Sequence, residues 1–557
     1  MDSWQGAAVM ISRLSLCMGA LIVLGCSSAP RETPSPDGGE ADSGGDDGGP
    51  VGPITPCTVT SKGSAGSVLV GHVLAPSGPI DGEVFIDGTG LIACVAPSCA
   101  QTAGYALATV ISCKGSVISP GIVNAHEHMD YVQAPNPAST TRYLHRNDWR
   151  TGANGAPKYT PAPKASTDAN LLAGAELRHV MSGTTALLSS GGVSGLVRNV
   201  ASFKNPQWLE GLTGKPAFFD TFPLGDSNGV ELASGCGYPN IRSAGAAFAD
   251  GTYTPHIAEG INTAAENEFT CLQSTLVTNR TAVIHGVGLN ATDVSVIQKS
   301  GAMLIWSPRS NTDLYGNTAS VTVFKELGVP IALGTDWLPS GSMNMLHELA
   351  CASALNDKYF GHAFTSRDLW TMATKNGALA AGFPAQIGEL TPNAQGDIAV
   401  FDGQSGADYD AVVKASPEDV HLVMRGGKVL YADAEIAKAL GTGCVDLDVC
   451  GEKRQACIDT PMTTLASIRA ATEGVYPLFF CRDQVTTHEP TCTPYRDGYP
   501  NGSSATDRDG DGVLDAQDDC ADVFNPARPM DNGKQSDVDT DGFGDACDRA
   551  PTDSSTH

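Results

Sequence analysis

Basic residues are scarce in this 557-residue chain: 34 Lys and Arg stand against 61 Asp and Glu, a formal net charge of −27. Such a deficit argues against nucleic acid as a partner and against electrostatic capture by anionic lipid. Charged residues of both signs reach only 17% and aromatics 6%, while hydrophobic residues make up 41%. That balance excludes a coiled coil and a wholly disordered chain. Long apolar runs are also missing at the N-terminus. Residues 14–25 form a run of 12, where a bilayer-spanning helix needs about 20. What is present in quantity is Gly (63), Cys (16) and a chain long enough for several domains.

The negative charge is concentrated at the ends. Residues 27–56 carry net −5 and residues 501–557 net −10, so the middle is only mildly acidic. The apolar run at 14–25 follows Arg13 and has the length of a secretory signal's core. It ends Val23-Leu24-Gly25-Cys26, which resembles a bacterial lipobox, with Cys26 as the lipidated residue. An ordinary signal with an incidental Cys is the competing reading. Residues 26–56, rich in Gly, Pro, Ser and Asp, cannot bury apolar surface and read as a flexible tether. The expectation is an exported chain, lipid-anchored to a bacterial envelope at the outer membrane or cell surface. Setting Cys17 and Cys26 aside leaves 14 cysteines, an even number suited to disulfides in an oxidising compartment. Cys94 and Cys99 are close enough for a small loop, whereas a single Cys such as Cys351 reads equally well as a small buried hydrophobe.

Residues 57–118 have short β-like runs with Asp-Gly turns at Asp81-Gly82 and Asp87-Gly88. Over 119–385, apolar strands alternate with helix-like stretches, the pattern of a parallel α/β sheet. The strand candidates are 117–125, 184–188, 216–222, 256–258, 281–285, 302–306 and 329–335. A (β/α)8 TIM barrel of the usual ~250 residues fits, with seven strands placed and one, taken as the fourth, not located. β character returns at 398–401 and 421–430, within a segment taken as 386–434, and a Cys-rich stretch, 435–500, follows.

Four segments carry chemistry. His126 and His128 flank one residue at a strand end, a spacing that lets both imidazoles face one ion. His256 is followed three residues later by Glu259, which could equally be a solvated acid in a helix's first turn. His285 ends an apolar strand, and so does Asp336, which could instead cap the next helix. All fall near C-terminal strand ends, where such barrels carry their active sites. Three His and a carboxylate suit a catalytic metal with room for water.

Residues 67–433 resemble the amidohydrolase superfamily, in the branch of cytosine deaminase, guanine deaminase and triazine hydrolases. The resemblance rests on His126-x-His128 after Pro120-Gly121, His256-x-x-Glu259, His285, Asp336 and the run Trp306-Ser307-Pro308-Arg309-Ser310-Asn311. Ile387-Gly388-Glu389-Leu390 and Gly396-Asp397-Ile398-Ala399-Val400-Phe401 add to it. It implies a TIM barrel flanked by a β-sandwich built jointly from the segments before and after the barrel. It also implies one divalent ion, Zn or Fe, on His126, His128, His256 and Asp336, whose water attacks a small-molecule substrate. Asp336 would take the water's proton, His285 would stabilise the tetrahedral intermediate, and Glu259 would shuttle a proton to the leaving nitrogen. The outcome is hydrolysis of a C–N bond outside peptides. A second metal would need a bridging Lys at the end of strand 4. Lys215 precedes its strand, and Lys158, Lys164 and Lys204 lie in polar or Pro-rich stretches. Arg309, Tyr315 and Trp337 are candidate substrate contacts, with a structural role the competing reading for each.

The tail repeats a motif. Asp507-x-Asp509-x-Asp511-Gly512-x-x-Asp515-x-x-Asp518 returns as Asp537-x-Asp539-x-Asp541-Gly542-x-x-Asp545-x-x-Asp548, with Cys520 and Cys547 near the loop ends. Alternate carboxylates on a tight loop suit a hard oxygen-seeking cation, and the pattern over 501–557 resembles thrombospondin type-3 calcium repeats. This tail is expected to stand apart from the barrel's active site. The alternative to an enzyme is a non-catalytic binding or adhesion lipoprotein, but all six expected catalytic groups are in place.

Overall fold

The computed structural model describes residues 57–136, 140–201, 206–458 and 463–556, which lie within one compact unit. The signal at 1–25, Cys26 and the tether at 26–56 lie outside the described residues.

Eight parallel strands organise the centre: β1 Ile122–Glu127, β2 Thr184–Ser189, β3 Arg198–Asn199, β4 Phe218–Asp220, β5 Tyr253–Ile257, β6 Ala282–His285, β7 Met303–Trp306 and β8 Ile331–Leu333. They form a three-stranded and a five-stranded sheet, joined by parallel bridges at Ala201–Ala217 and Glu127–Asp336. The strands therefore follow one another round a ring, β1 to β8 and back to β1. Alternate residues of each strand face opposite ways. Ala282 and Ile284, Met303 and Ile305, and Ala332 pack in one apolar cluster with Val123, Ala125, Ala186 and Leu188. Their neighbours Val283, Leu304, Trp306, Ile331 and Leu333 pack in the larger cluster that includes the surrounding helices. The helices used below are α1 Arg146–Thr151, α2 Ala169–Val180, α3 Thr263–Leu276, α4 Ala291–Ser300, α5 Pro308–Tyr315 and α6 Met345–Tyr359.

Two expectations about strands change. The strand not located is β3, and Phe218–Asp220 is the fourth. Only two residues long and polar, β3 has no apolar run to betray it. Arg198 is satisfied by Asp397 and by Gln395 at 3.2 Å, and Asn199 Nδ2 donates to the carbonyls of Ser189 (3.1 Å) and Gly191 (2.9 Å). The apolar run at 117–125 is two strands: Thr109–Pro120 belongs to another sheet, and β1 begins at Ile122. Gly121 makes the crossing, because a Cβ there would lie 2.3 Å from the Thr185 side chain.

That other sheet has ten strands and is built from both sides of the barrel. Ile398–Asp402 pairs antiparallel with Thr109–Pro120, from Ile398 opposite Pro120 to Asp402 opposite Ser116. Within the Cys-rich stretch, the hairpin Cys444–Val449 and Glu452–Cys457 extends this sheet by pairing with Lys428–Asp433. The 14 described cysteines form seven disulfides: 57–113, 94–99, 236–271, 351–492, 444–457, 450–481 and 520–547. Cys351 is thus a covalent anchor for the Cys-rich stretch rather than a lone apolar side chain. No helix among the described residues is long and apolar enough to cross a membrane.

Among the described residues the tail lines no part of the cavity over the strand ends, but it packs on the barrel. Phe524 is buried in the main core with Tyr499, and its N–H donates to the carbonyl of Tyr359 at 2.7 Å. Aromatic side chains in an acidic segment are enough to seat it on the barrel's outer layer, which counting Asp residues alone concealed.

Candidate metal centre

Four segments deliver the side chains. β1 carries His126 as its penultimate residue, with His128 just beyond its end; β5 carries His256; β6 ends in His285; and Asp336 follows β8. The backbone at these ends is not plain strand. The pairing of β1 with β2 slips between Asn124 and Glu127. His285 and Asp336 take left-handed φ of 73° and 59°, and Ala258, beside Glu259, takes 55°. Non-glycine residues adopt this region at a cost of about 1–3 kcal/mol each. Surrounding hydrogen bonds hold it, including the Ala258 N–H to Glu268 Oε2 on α3 at 2.9 Å.

The ligand atoms converge. His126 Nε2 lies 3.2 Å from His256 Nε2 and 3.4 Å from His128 Nε2. Asp336 Oδ1 lies 3.5 Å from His126 Nε2 and 3.6 Å from His128 Nε2. A tetrahedral ion bound at about 2.0–2.2 Å places its ligand atoms about 3.3–3.6 Å apart, so the observed edges fit one such ion. The tautomers fit as well. His256 Nδ1 faces the carbonyl of Asp220 at 3.2 Å. A carbonyl only accepts, so Nδ1 carries the proton and Nε2 presents a lone pair to the centre. Burial holds His126 and His256 well below the usual imidazole pKa, helped by the neighbouring histidines, and pushes His128 down to about 4. Burial also raises Asp336 far above the usual carboxylate range, with Glu259 adding to the effect. Neutral imidazoles beside a carboxylate that resists lone ionisation form a donor set made for a cation.

A short segment positions the rest. Ser307 Oγ meets His126 Nδ1 at 3.0 Å, Ser310 Oγ donates to Asp336 Oδ2 at 2.5 Å, and Asn311 Oδ1 meets His285 Nδ1 at 3.0 Å. Tyr315, at the end of α5, donates its hydroxyl to Glu259 Oε1 at 2.7 Å and accepts from Trp149 Nε1 at 3.0 Å. His285 Nε2 stands 3.6 Å from Glu259 and 4.0 Å from Asp336, between the two carboxylates. The sequence alone picks out the run Trp306–Asn311 without assigning these roles to Ser307, Ser310 and Asn311, and offers Tyr315 as a substrate contact rather than as the partner of Glu259.

The candidate substrate contacts divide. Trp337 lines a cavity of about 460 Å³ over the centre, together with Tyr131, Trp149, Tyr159 and Phe222. Ring centroids of Tyr131, Trp149 and Tyr159 lie 5.4, 5.0 and 6.0 Å from that of Trp337. Arg309 does not line this cavity. Its guanidinium donates to Ser342 Oγ (2.6 Å) and to the carbonyls of Pro490 (2.7 Å) and His347 (3.1 Å), a tie between loops. Tyr315 is fully buried on Glu259. Lys215 lies before β4, whose last residue, Asp220, spends its carboxylate on Arg242 and Tyr253.

The tail places Asp507, Asp509 and Asp511 together, and Asp537, Asp539 and Asp541 together, with carboxylate oxygens within 4.8 Å in each group. Asp507 and Asp537 cap their loops through Gly512 and Gly542 N–H groups, both at 3.1 Å. Asp515 and Asp545 accept from the N–H groups of Arg508 and Val538, both at 2.9 Å. Asp509, Asp518, Asp539 and Asp548 each keep one buried oxygen without a hydrogen-bond partner. These are the same two positions in both repeats.

Residues 244–430 match the family model described as "Amidohydrolase family". A 5-methylthioadenosine/S-adenosylhomocysteine deaminase from Teredinibacter turnerae is 35% identical over 23% of this chain and 29% of its own length. One of the same description from Nitratidesulfovibrio vulgaris is 26% identical over 64% of this chain and 89% of its own. A triazine hydrolase from Arthobacter aurescens shares the fold at a TM-score of 0.50 and 15% identity, covering 74% of this chain and all of that one. The first relative is thus spanned for less than a third of its length, the second for most of it. The family match covers about a third of this chain and includes His256, Glu259, His285 and Asp336.

Proposed function

We propose that the protein is a single-metal hydrolase that deaminates a planar heterocycle or opens a cyclic amide in one. The observation that carries this reading is the convergence of His128, His256 and Asp336 on His126, whose Nε2 lies 3.4, 3.2 and 3.5 Å from their ligand atoms, beside Glu259 and His285. These four residues would hold one Zn or Fe ion, which supplies Lewis acidity and lowers the pKa of water. The remaining work belongs to the chain. Asp336, oriented by Ser310, accepts the proton of the attacking water. His285, held by Asn311, lies where charge develops on the substrate. Glu259, fixed by the Tyr315 hydroxyl, delivers the proton to the departing nitrogen. The aromatic wall around Trp337 suits a flat ring, and relatives named for deaminating adenine nucleosides agree with that choice. With no lysine at the end of β4 and Asp220 committed elsewhere, the residues favour one ion over two.

The proposal extends to location and to a second kind of ion. The lipobox at Cys26 and the seven disulfides support an exported, lipid-anchored chain. The four unpartnered carboxylate oxygens support calcium in the tail loops, because a buried carboxylate without a partner is costly unless a cation meets it. Burial, then the neighbouring Asp511 and Asp518, push Asp509 up to about 8.

Elemental analysis of the purified chain, followed by ammonia-release assays on amino-heterocycles and ring-opening assays on cyclic amides, tests the reading. The expected result is about one transition metal per chain and turnover of at least one class. A folded protein that binds no transition metal, or two per chain, would overturn it.

A further inference from the structure

The acidic tail, with the last residues of the Cys-rich stretch before it, grips the segments that carry Glu259, His285 and Tyr315, besides seating Phe524 and Val523 on Tyr359 and Phe360. Met530 N–H donates to the carbonyl of Ile261, two residues past Glu259, at 3.2 Å. The buried Arg528 donates through Nη1 to the carbonyls of Val287 (3.1 Å) and Leu289 (3.3 Å), just past His285. At the end of α5, Arg496 Nη1 donates to the carbonyls of Tyr315 (2.6 Å) and Tyr143 (3.0 Å), and the Tyr499 hydroxyl donates to that of Gly316 (3.0 Å). The approach is tight: a Cβ at Gly316 would lie 2.0 Å from the carbonyl of Tyr495. The loops that hold the tail together connect to these grips. Gln535 Nε2 reaches Asp511 Oδ2 (2.9 Å) and Asp518 Oδ1 (2.7 Å) of the first Asp loop and Asn525 Oδ1 (3.0 Å), next to the seated Phe524. The Cys520–Cys547 bond joins the two repeats.

We propose that the tail is a positioning clamp for the acid–base half of the site, set by divalent cation in its Asp loops. Arg528 of the tail, and Arg496 and Tyr499 at the end of the Cys-rich stretch that leads into it, are its positioning residues: they touch no reacting atom and act through the backbone that aims Tyr315, Glu259 and His285. Among the described residues the tail makes no hydrogen bond to His126, His128, His256 or Asp336, whose partners all lie in the barrel. The inference rests on the proposed roles of Glu259 and His285 and on cation binding by the tail. Without cation, carboxylates crowded into each loop repel one another. The grip loosens and Glu259 loses its aim, while the transition-metal ligands keep theirs.

The test uses the full chain in Ca²⁺-containing buffer. Asp509→Asn combined with Asp539→Asn should speed amide exchange in the backbone around Ile261, Val287–Leu289 and Gly316 by about ten-fold or more. Transition-metal content should stay at the parent value. On a substrate the parent turns over, kcat should fall by about ten- to a hundred-fold, the scale of a small misplacement, with KM changed far less. Arg528→Ala, which leaves both Asp loops intact, should reproduce the faster exchange around Val287 and the same kcat loss. Exchange rates do not depend on turnover, so failure of the hydrolase reading and failure of the clamp are separately visible. Unchanged barrel exchange in both variants would overturn the clamp, and so would a kcat loss that merely follows loss of transition metal.

Discussion

The described residues hold two kinds of cation-type donor set, one in the barrel and one repeated in the tail, built on opposite plans. In the barrel, three imidazoles and one carboxylate come from β1, β5 and the end of β8, separated by as many as 210 positions in the chain. They meet because a ring of parallel strands brings distant C-terminal ends together. In the tail, the carboxylates come from one turn of twelve residues, and local Asx-type bonds from Gly510, Gly512 and Val513 N–H groups shape the loop. The first set is preorganised by the whole core; the second is shaped by its own sequence and needs its ion to offset self-repulsion. Imidazole nitrogens select a borderline transition metal and carboxylate oxygens a hard one, so the two sets should respond independently to most insults.

The sharpest break of this comparison is His256→Ala. It removes one tetrahedral vertex, so transition metal and turnover should both be lost, while Ca²⁺-dependent protection of residues 501–556 from protease persists. Loss of both together would deny the two plans. Next, Glu259→Gln should keep the transition metal and lower kcat about 10²–10⁴-fold, the usual contribution of proton transfer; unchanged turnover would remove Glu259 from the chemistry. Ser307→Ala deletes the partner of His126 Nδ1 and should weaken transition-metal affinity about 10–100-fold, measured by competition with a chelating dye. An equal loss of Ca²⁺ affinity would count against separate sites.

The smallest effect concerns pH. His145 is buried between Glu231 and Glu268; burial opposes its charge, but the two carboxylates outweigh burial and push it up to about 9. A raised folded-state pKa contributes stability that is complete below the unfolded value near 6.5 and is lost as pH rises through about 9. The melting temperature should therefore fall over that window, and His145→Gln should flatten the fall. A fall of the same size in the variant would assign it to other groups.

The run Trp306–Asn311 shows where legibility in the sequence stops. Arg309 draws attention as a cation near a site, yet it ties loops together, and the small neighbours Ser307, Ser310 and Asn311 orient the centre. One helical turn presents successive residues in different directions, and which of them faces the centre depends on how α5 packs. The third strand was illegible for a related reason: Arg198 and Asn199 satisfy their polar groups with distant partners, so no apolar pattern marks them.

The amino-acid sequence by itself determined what is local. Strand-end histidines, the His-x-His and His-x-x-Glu spacings, the alternation of strands with helices and the twice-repeated Asp loop are short-range patterns, and backbone geometry converts them directly into shared faces and turns. The tertiary structure alone decided which distant groups meet. It paired Cys351 with Cys492, turned Arg309 away from the cavity, placed Tyr315 on Glu259 and seated Phe524 and Arg528 of the tail on the barrel. Such contacts depend on packing between segments hundreds of positions apart, which no local period encodes.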